Sequence, residues 1–233
     1  EAMHLFTKVN SGNAPGGLKA DAIRESVEAS LKRLQTDYID LYFSHWPDEE
    51  TEHEETLGAY DTLIRSGKVR VIGASNYTAE MMAAAQETAI IKSLPRYEVT
   101  QPRYNLYDRA EFEALRPFLL ENEVGAIVYY SLASGFLSGK YRSKADLGQS
   151  QRGGGVGNYL TDKGFKILDA LDEVSAELDA KPAEVALAWL IAQPGVSAPI
   201  ASATSVEQVK SIARGARLGL PEAAVEKLTA AGA

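Results

Sequence analysis

Tyr38-Ile39-Asp40-Leu41-Tyr42-Phe43-Ser44-His45-Trp46-Pro47-Asp48 is the stretch that decides the fold. An apolar run of strand length closes on a polar string that carries one of only 3 histidines in the chain. Upstream, Phe6-Thr7-Lys8-Val9 puts a lysine at the end of a second such run, and downstream Gly73-Ala74-Ser75-Asn76-Tyr77 ends a third in small hydroxyl and amide groups. Polar groups collected at the ends of three apolar strands point to one site at one end of a parallel barrel.

Outward from that stretch, apolar runs alternate with longer amphipathic ones. Strands are expected over 5–9, 39–44, 69–74, 99–103, 124–130 and 198–202, because each reads as a short, continuously apolar segment. Helices are expected over 20–34, 54–66, 78–86, 109–121, 160–178, 182–192, 205–214 and 221–230. Ile23, Val27, Ser30, Leu31 and Leu34 form one face of the first of these, Thr78 is placed to cap the third, and Pro182 suits a first helical turn. Strands separated by helices imply parallel pairing, in a doubly wound sheet or a barrel, and the polar strand ends favour the barrel. Residues 143–157, rich in Gly and Ser, read as one long loop. There is no domain linker and no internal repeat, so residues 1–233 are expected to form a single domain.

A chain of 233 residues that is 45% hydrophobic supports one sizeable core. The net charge of −8, without long basic runs, argues against nucleic acid or an anionic membrane as partner. The lack of cysteine excludes disulfides and thiolate chemistry and fits a cytoplasmic location. No apolar stretch reaches membrane-spanning length. The acidic string 48–55 lacks regular ligand spacing, and acids at a helix start answer the helix dipole, so no metal site is expected there. Asp37 and Asp40 are not read as a glycosidase pair.

With the block Tyr129-Tyr130-Ser131-Leu132-Ala133-Ser134-Gly135-Phe136-Leu137-Ser138-Gly139-Lys140-Tyr141 added to the three strand ends, the chain resembles the aldo-keto reductase superfamily, in its short-loop bacterial branch. The resemblance runs from Phe6 to the last helix. It implies a (β/α)8 TIM-barrel fold, here truncated at the N-terminus to about six strands, and an NADP(H)-dependent oxidoreductase that reduces aldehydes or ketones to alcohols. The family's first two βα units, which carry its catalytic aspartate and its general-acid tyrosine, would precede Phe6. The chain as written is therefore expected to be an incomplete and weak catalyst. Because the family includes potassium-channel β subunits, a non-catalytic nicotinamide-nucleotide-binding or interaction protein is the alternative. The bare edge of the 5–9 strand is expected to be distorted, or to be covered by another segment through homo-oligomerisation or exchange.

The resemblance also assigns roles. Lys8 matches the lysine that tunes the acid, and His45 the histidine that hydrogen-bonds the substrate oxygen. Trp46 falls at the substrate pocket. Ser75, Asn76 and Gln101 match the positions that bind the nicotinamide carboxamide, a group that needs both donors and acceptors. Tyr129 matches the aromatic that stacks on the nicotinamide ring, with Tyr130 one place away where many relatives have serine. Ser131, Leu132, Lys140 and Arg152 fall at pyrophosphate and phosphate positions. Ser202, Thr204 and Gln208 lie in the turn that holds the adenosine 2′-phosphate, which favours NADP(H) over NAD(H). Alternation along strands is expected to turn Tyr42 away from the Leu41–Phe43–His45 side, and to place Tyr129 and Tyr130 on opposite faces.

Overall fold

A computed structural model of the chain describes residues 3–9, 17–149 and 153–233. Six strands follow one another across the sheet in chain order: β1 (Phe6–Val9), β2 (Ile39–Ser44), β3 (Val69–Ser75), β4 (Val99–Gln101), β5 (Gly125–Val128) and β6 (Val196–Pro199). The ladders from β1 to β5 are all parallel. A doubly wound sheet reverses its strand order at a switch point, and there is no reversal here; strictly sequential order is that of a barrel. The helices are α1 (Ala20–Leu34), α2 (His53–Arg65), α3 (Ala79–Lys92), α4 (Ala110–Glu121), the single turn α5 (Gly153–Val156), α6 (Asp162–Glu177), α7 (Pro182–Ile191), α8 (Val206–Gly215) and α9 (Glu222–Ala231).

The chain forms two compact units. The first comprises residues 1–102 and 117–126. Its core is built from Ile23, Val27 and Leu31 of α1, Ile39, Leu41 and Phe43 of β2, and Leu57, Tyr60 and Leu63 of α2. Tyr42 is fully buried and its ring meets Tyr60 edge-on at 6.4 Å, so it faces the helices, as alternation along β2 requires. Ser44 joins Tyr60 and Tyr97 through hydroxyl contacts of 2.8 and 2.9 Å. The second unit comprises residues 103–116 and 127–233. Here Tyr104, Phe112 and Trp189 pack together, with Phe136, Leu137, Leu168 and Leu171 buried.

The departures from the sequence reading have local causes. The β4 ladder stops at Gln101 rather than 103, because Pro102 has no N–H to donate; beyond it only a bridge between Arg103 and Tyr129 continues. β5 ends at Val128 because Tyr130 turns left-handed, with φ 57°. β6 starts earlier than expected, directly after the left-handed Gly195. The third helix continues to Lys92, where Ser93 takes the left-handed cap, and its start is capped by Thr78 as expected. Within 143–157, read as a loop, residues 144–149 form a 3-10 turn. Asp146 orders its start by accepting from the Arg142 and Ser143 N–H groups and the Ser143 hydroxyl.

Candidate functional site

In the first unit, Lys8 and His45 come from adjacent parallel strands. The register pairs Lys8 with Phe43, and the His45 N–H donates to the Val9 carbonyl at 3.1 Å, so both side chains leave the same strand ends. The Lys8 Nζ lies 5.5 Å from the centre of the Phe43 ring. Burial lowers the Lys8 pKa from its ordinary value. Burial, and then the Lys8 charge, lower that of His45. An imidazole held below its usual value is neutral at pH 7 and presents one N–H donor and one acceptor. Trp46 is 43% exposed and stacks on the His45 ring at 5.7 Å, which fixes the imidazole plane beside an open apolar surface.

The next strand ends supply the amides and hydroxyl. Asn76 adopts φ 62°, a left-handed conformation that asparagine tolerates better than most residues, and this turns its side chain back across the strand ends. Its Nδ2 donates to the His45 carbonyl at 2.8 Å and to Ser75 Oγ at 3.2 Å. The Ser75 hydroxyl in turn donates to the Gln101 carbonyl at 2.8 Å. His45, Asn76, Ser75 and Gln101 are thus linked by consecutive hydrogen bonds along β2, β3 and β4. Gln101 is 5% exposed, with its backbone carbonyl taken up by the Ser75 hydroxyl. Its side-chain amide has a donor and an acceptor, which match those of a carboxamide ligand.

The remaining expected residues lie in the second unit. Tyr129 is half-buried, and burial raises its phenol pKa. Tyr130 is exposed. The expectation that these two lie on opposite faces is not met: their rings meet edge-on with centroids 5.5 Å apart. Alternation holds only for extended backbone, and Tyr130 is left-handed. Ser131 is buried and its hydroxyl donates to the Val128 carbonyl at 3.2 Å, closing the strand end. Leu132 is half-buried and its carbonyl accepts from Gly135 and Leu137. Lys140 is exposed, with its Nζ 4.9 Å from the Tyr141 ring centre. Arg152 lies outside the described residues.

Ser202, Thr204 and Gln208 are exposed at the start of α8. Ser205 caps that helix by accepting the Gln208 N–H at 3.3 Å. The Gln208 Oε1 accepts the Thr204 N–H at 2.7 Å and the Thr204 hydroxyl at 3.2 Å, so the side chain offers a phosphate only its amide NH2.

The sequence reading missed a polar network in the second unit. Asn105 is fully buried and all its hydrogen-bonding capacity is used. Its Oδ1 accepts from the Tyr107 and Asp108 N–H groups, and its Nδ2 donates to Asp108 Oδ2 and to the Tyr130 carbonyl. Asp108 also accepts from Arg103 at 2.9 Å and from the Tyr159 hydroxyl at 2.9 Å. An Asn followed three residues later by Asp is the one local signal, that of an Asx-type turn. Among the described residues, no three His, Asp or Glu side chains gather as a metal site, and no helix is long and apolar enough to cross a membrane.

Comparison with known proteins gives the class. The aldo/keto reductase family matches residues 1–233, and the chain belongs to that family. The uncharacterized oxidoreductase YrpG of Bacillus subtilis is 36% identical, over 94% of this chain and 69% of that protein. A probable voltage-gated potassium channel subunit beta of Arabidopsis thaliana is 33% identical, over 88% of this chain and 66% of that one. The crystal structure of a thermostable aldo-keto reductase, Tm1743, with the inhibitor epalrestat superposes with a TM-score of 0.76 at 29% identity, over 97% of this chain and 70% of that one. The chain thus spans between 66% and 70% of the length of these three proteins.

Proposed function

We propose that this chain carries the larger part of an NADP(H)-dependent carbonyl reductase of the aldo/keto reductase family, acting on aldehydes or ketones. The observation that carries this reading is the pairing of Lys8 with a neutral His45 at adjoining strand ends, with His45 joined through Asn76 and Ser75 to Gln101 by consecutive hydrogen bonds. A bound dihydronicotinamide supplies a hydride to the carbonyl carbon, and the carbonyl oxygen then needs a proton. The neutral His45 imidazole suits a hydrogen bond to that oxygen, and Lys8 places a positive charge where negative charge develops. Ser75, Asn76 and Gln101 are the residues that would hold the carboxamide. In the second unit, the family resemblance assigns Tyr129, with Tyr130 one place away, to the ring face, Ser131, Leu132, Lys140 and Arg152 to the phosphate side, and Ser202, Thr204 and Gln208 to the 2′-phosphate. Residues 1–233 are read here as one barrel domain of a cytoplasmic protein.

Calorimetry with NADPH and NADH, followed by NADPH absorbance with 4-nitrobenzaldehyde, tests the reading. Binding of NADPH in preference to NADH, with weak turnover that His45→Ala lowers further, is expected. A folded protein that binds neither nucleotide overturns it. Equal affinities overturn the 2′-phosphate assignment alone. The potassium-channel relative favours a second reading, a nucleotide-binding subunit without catalysis. Tight NADPH binding with no turnover of any aldehyde selects that one.

A further inference from the structure

We infer that Arg103, clamped by Asp108 and Tyr159, is a positioning residue for the Tyr129–Tyr130 aromatic pair and so for the nicotinamide ring. The inference rests on the reading of Tyr129 as the stacking residue. All the residues concerned lie in the second unit. The Arg103 guanidinium stands over the Tyr130 ring at 5.0 Å from its centre. Its Nη2 donates to Asp108 Oδ2 at 2.9 Å and to the Tyr159 hydroxyl at 2.8 Å. The Tyr159 hydroxyl donates to the same carboxylate oxygen, so the three groups close a ring of hydrogen bonds. The backbone of Arg103 bridges Tyr129, and the following N–H, that of Tyr104, donates to the Tyr129 carbonyl at 3.2 Å. One residue therefore touches the backbone of one tyrosine and the ring of the other.

The need for such a clamp follows from the backbone. Tyr130, Ala133 and Ser134 all take positive φ, which is uncommon outside glycine, and among the described residues no ladder holds the segment beyond the bridge at Tyr129. Asn105 pins the Tyr130 carbonyl from below, and Arg103 covers its exposed ring, which Tyr129 meets edge-on. One guanidinium nitrogen serves both Asp108 and Tyr159 while the group's delocalised charge stands over the Tyr130 ring; a lysine ammonium, a compact point charge, does not span both. Tyr159 also stacks on Phe136 at 5.5 Å and meets Tyr107 edge-on at 5.0 Å, so the far side of the clamp is anchored in packed aromatics.

The test measures affinities of the wild-type chain, Arg103→Leu and Arg103→Lys for NADPH and for adenosine 2′,5′-bisphosphate, which lacks the nicotinamide, together with each thermal midpoint. Both variants are expected to weaken NADPH about 3- to 10-fold, the size of a misaligned aromatic stack, with the bisphosphate affinity and midpoint little changed. A wild-type chain that binds NADPH while both variants match it overturns the inference alone. So does Arg103→Lys restoring wild-type affinity, since charge would then suffice, or an equal loss for both ligands, which marks a structural role. A folded wild-type chain that does not bind NADPH overturns the functional reading, and this inference with it.

Discussion

Asp48 shows how a residue can look like a ligand and serve as a tie. It opens the acidic string 48–55, yet its carboxylate accepts the Leu18 N–H at 2.8 Å, the Thr51 hydroxyl at 2.7 Å and the Glu50 N–H at 3.0 Å. Gly17 makes the approach possible: its φ is 54°, and a Cβ there would lie 2.0 Å from Asp48 Oδ2. Burial pushes the Asp48 pKa up, but the hydrogen bonds from Leu18, Thr51 and Glu50 outweigh it and hold the carboxyl below its ordinary value. A depressed pKa contributes stability above the unfolded-state value near 3.9, and that contribution is lost as pH falls through the lower folded value. Asp48→Asn is therefore expected to cost about 1–2 kcal/mol at pH 7, with the deficit shrinking below about pH 4. Urea melts of both proteins from pH 7 to pH 3 measure it; a deficit that does not depend on pH contradicts the assignment. Gly73 is the other residue fixed by contact. A Cβ there would meet the Phe43 ring at 2.6 Å and the Val99 carbonyl at 2.7 Å, and a ladder carbonyl cannot retreat. Gly73→Ala is expected to cost about 1–3 kcal/mol by overpacking, read as a lower urea midpoint with unchanged slope.

At the scale of elements, α7 holds α8 through one buried carboxylate. Glu184, 1% exposed, accepts the Ser211 hydroxyl at 2.7 Å and the Lys181 N–H at 3.2 Å, with Arg214 at 3.5 Å. Because α8 carries the Ser202–Gln208 turn at its start, Glu184→Ala is expected to lower stability by about 2–3 kcal/mol and to weaken adenosine 2′,5′-bisphosphate binding. Denaturation and calorimetry read the two effects; a loss of stability with unchanged binding would detach the turn from the helix's seat. The elements themselves were largely legible, because buried parallel strands are continuous apolar runs and amphipathic helices keep one face: β2 and α1 have the bounds their patterns predict. Less legible were the places where local hydrogen bonds override pattern, such as the left-handed Tyr130 and the Asp146-capped turn inside a Gly/Ser-rich stretch. The placing of Lys8 and His45 at adjoining strand ends was legible because both end apolar runs. The Asn105–Asp108–Arg103–Tyr159 network was not, because its partners are 51 residues apart between Asp108 and Tyr159 and share no period.

For the molecule as a whole, the strand order places β1 at one end of the sheet, paired among the described residues with β2 alone. An edge strand presents unpaired N–H and C=O groups that template further pairing, and natural edges carry charge or a cover to prevent it. This edge carries neither on its apolar positions: Phe6 is 50% exposed and Met3 83%. Lys8, two residues on along the same face, is half-buried against the Phe43 ring and does not guard the edge. The 233-residue chain is therefore expected to associate through β1, giving a weight-average mass by light scattering that rises with protein concentration. Phe6→Glu puts a charge on the half-exposed position two residues before Lys8, on the same face of that strand, and is expected to return the mass to that of a monomer. A chain that stays monomeric across the concentration range with Phe6 intact would show that the edge is satisfied within the chain, and would remove association as the explanation for how β1 is kept.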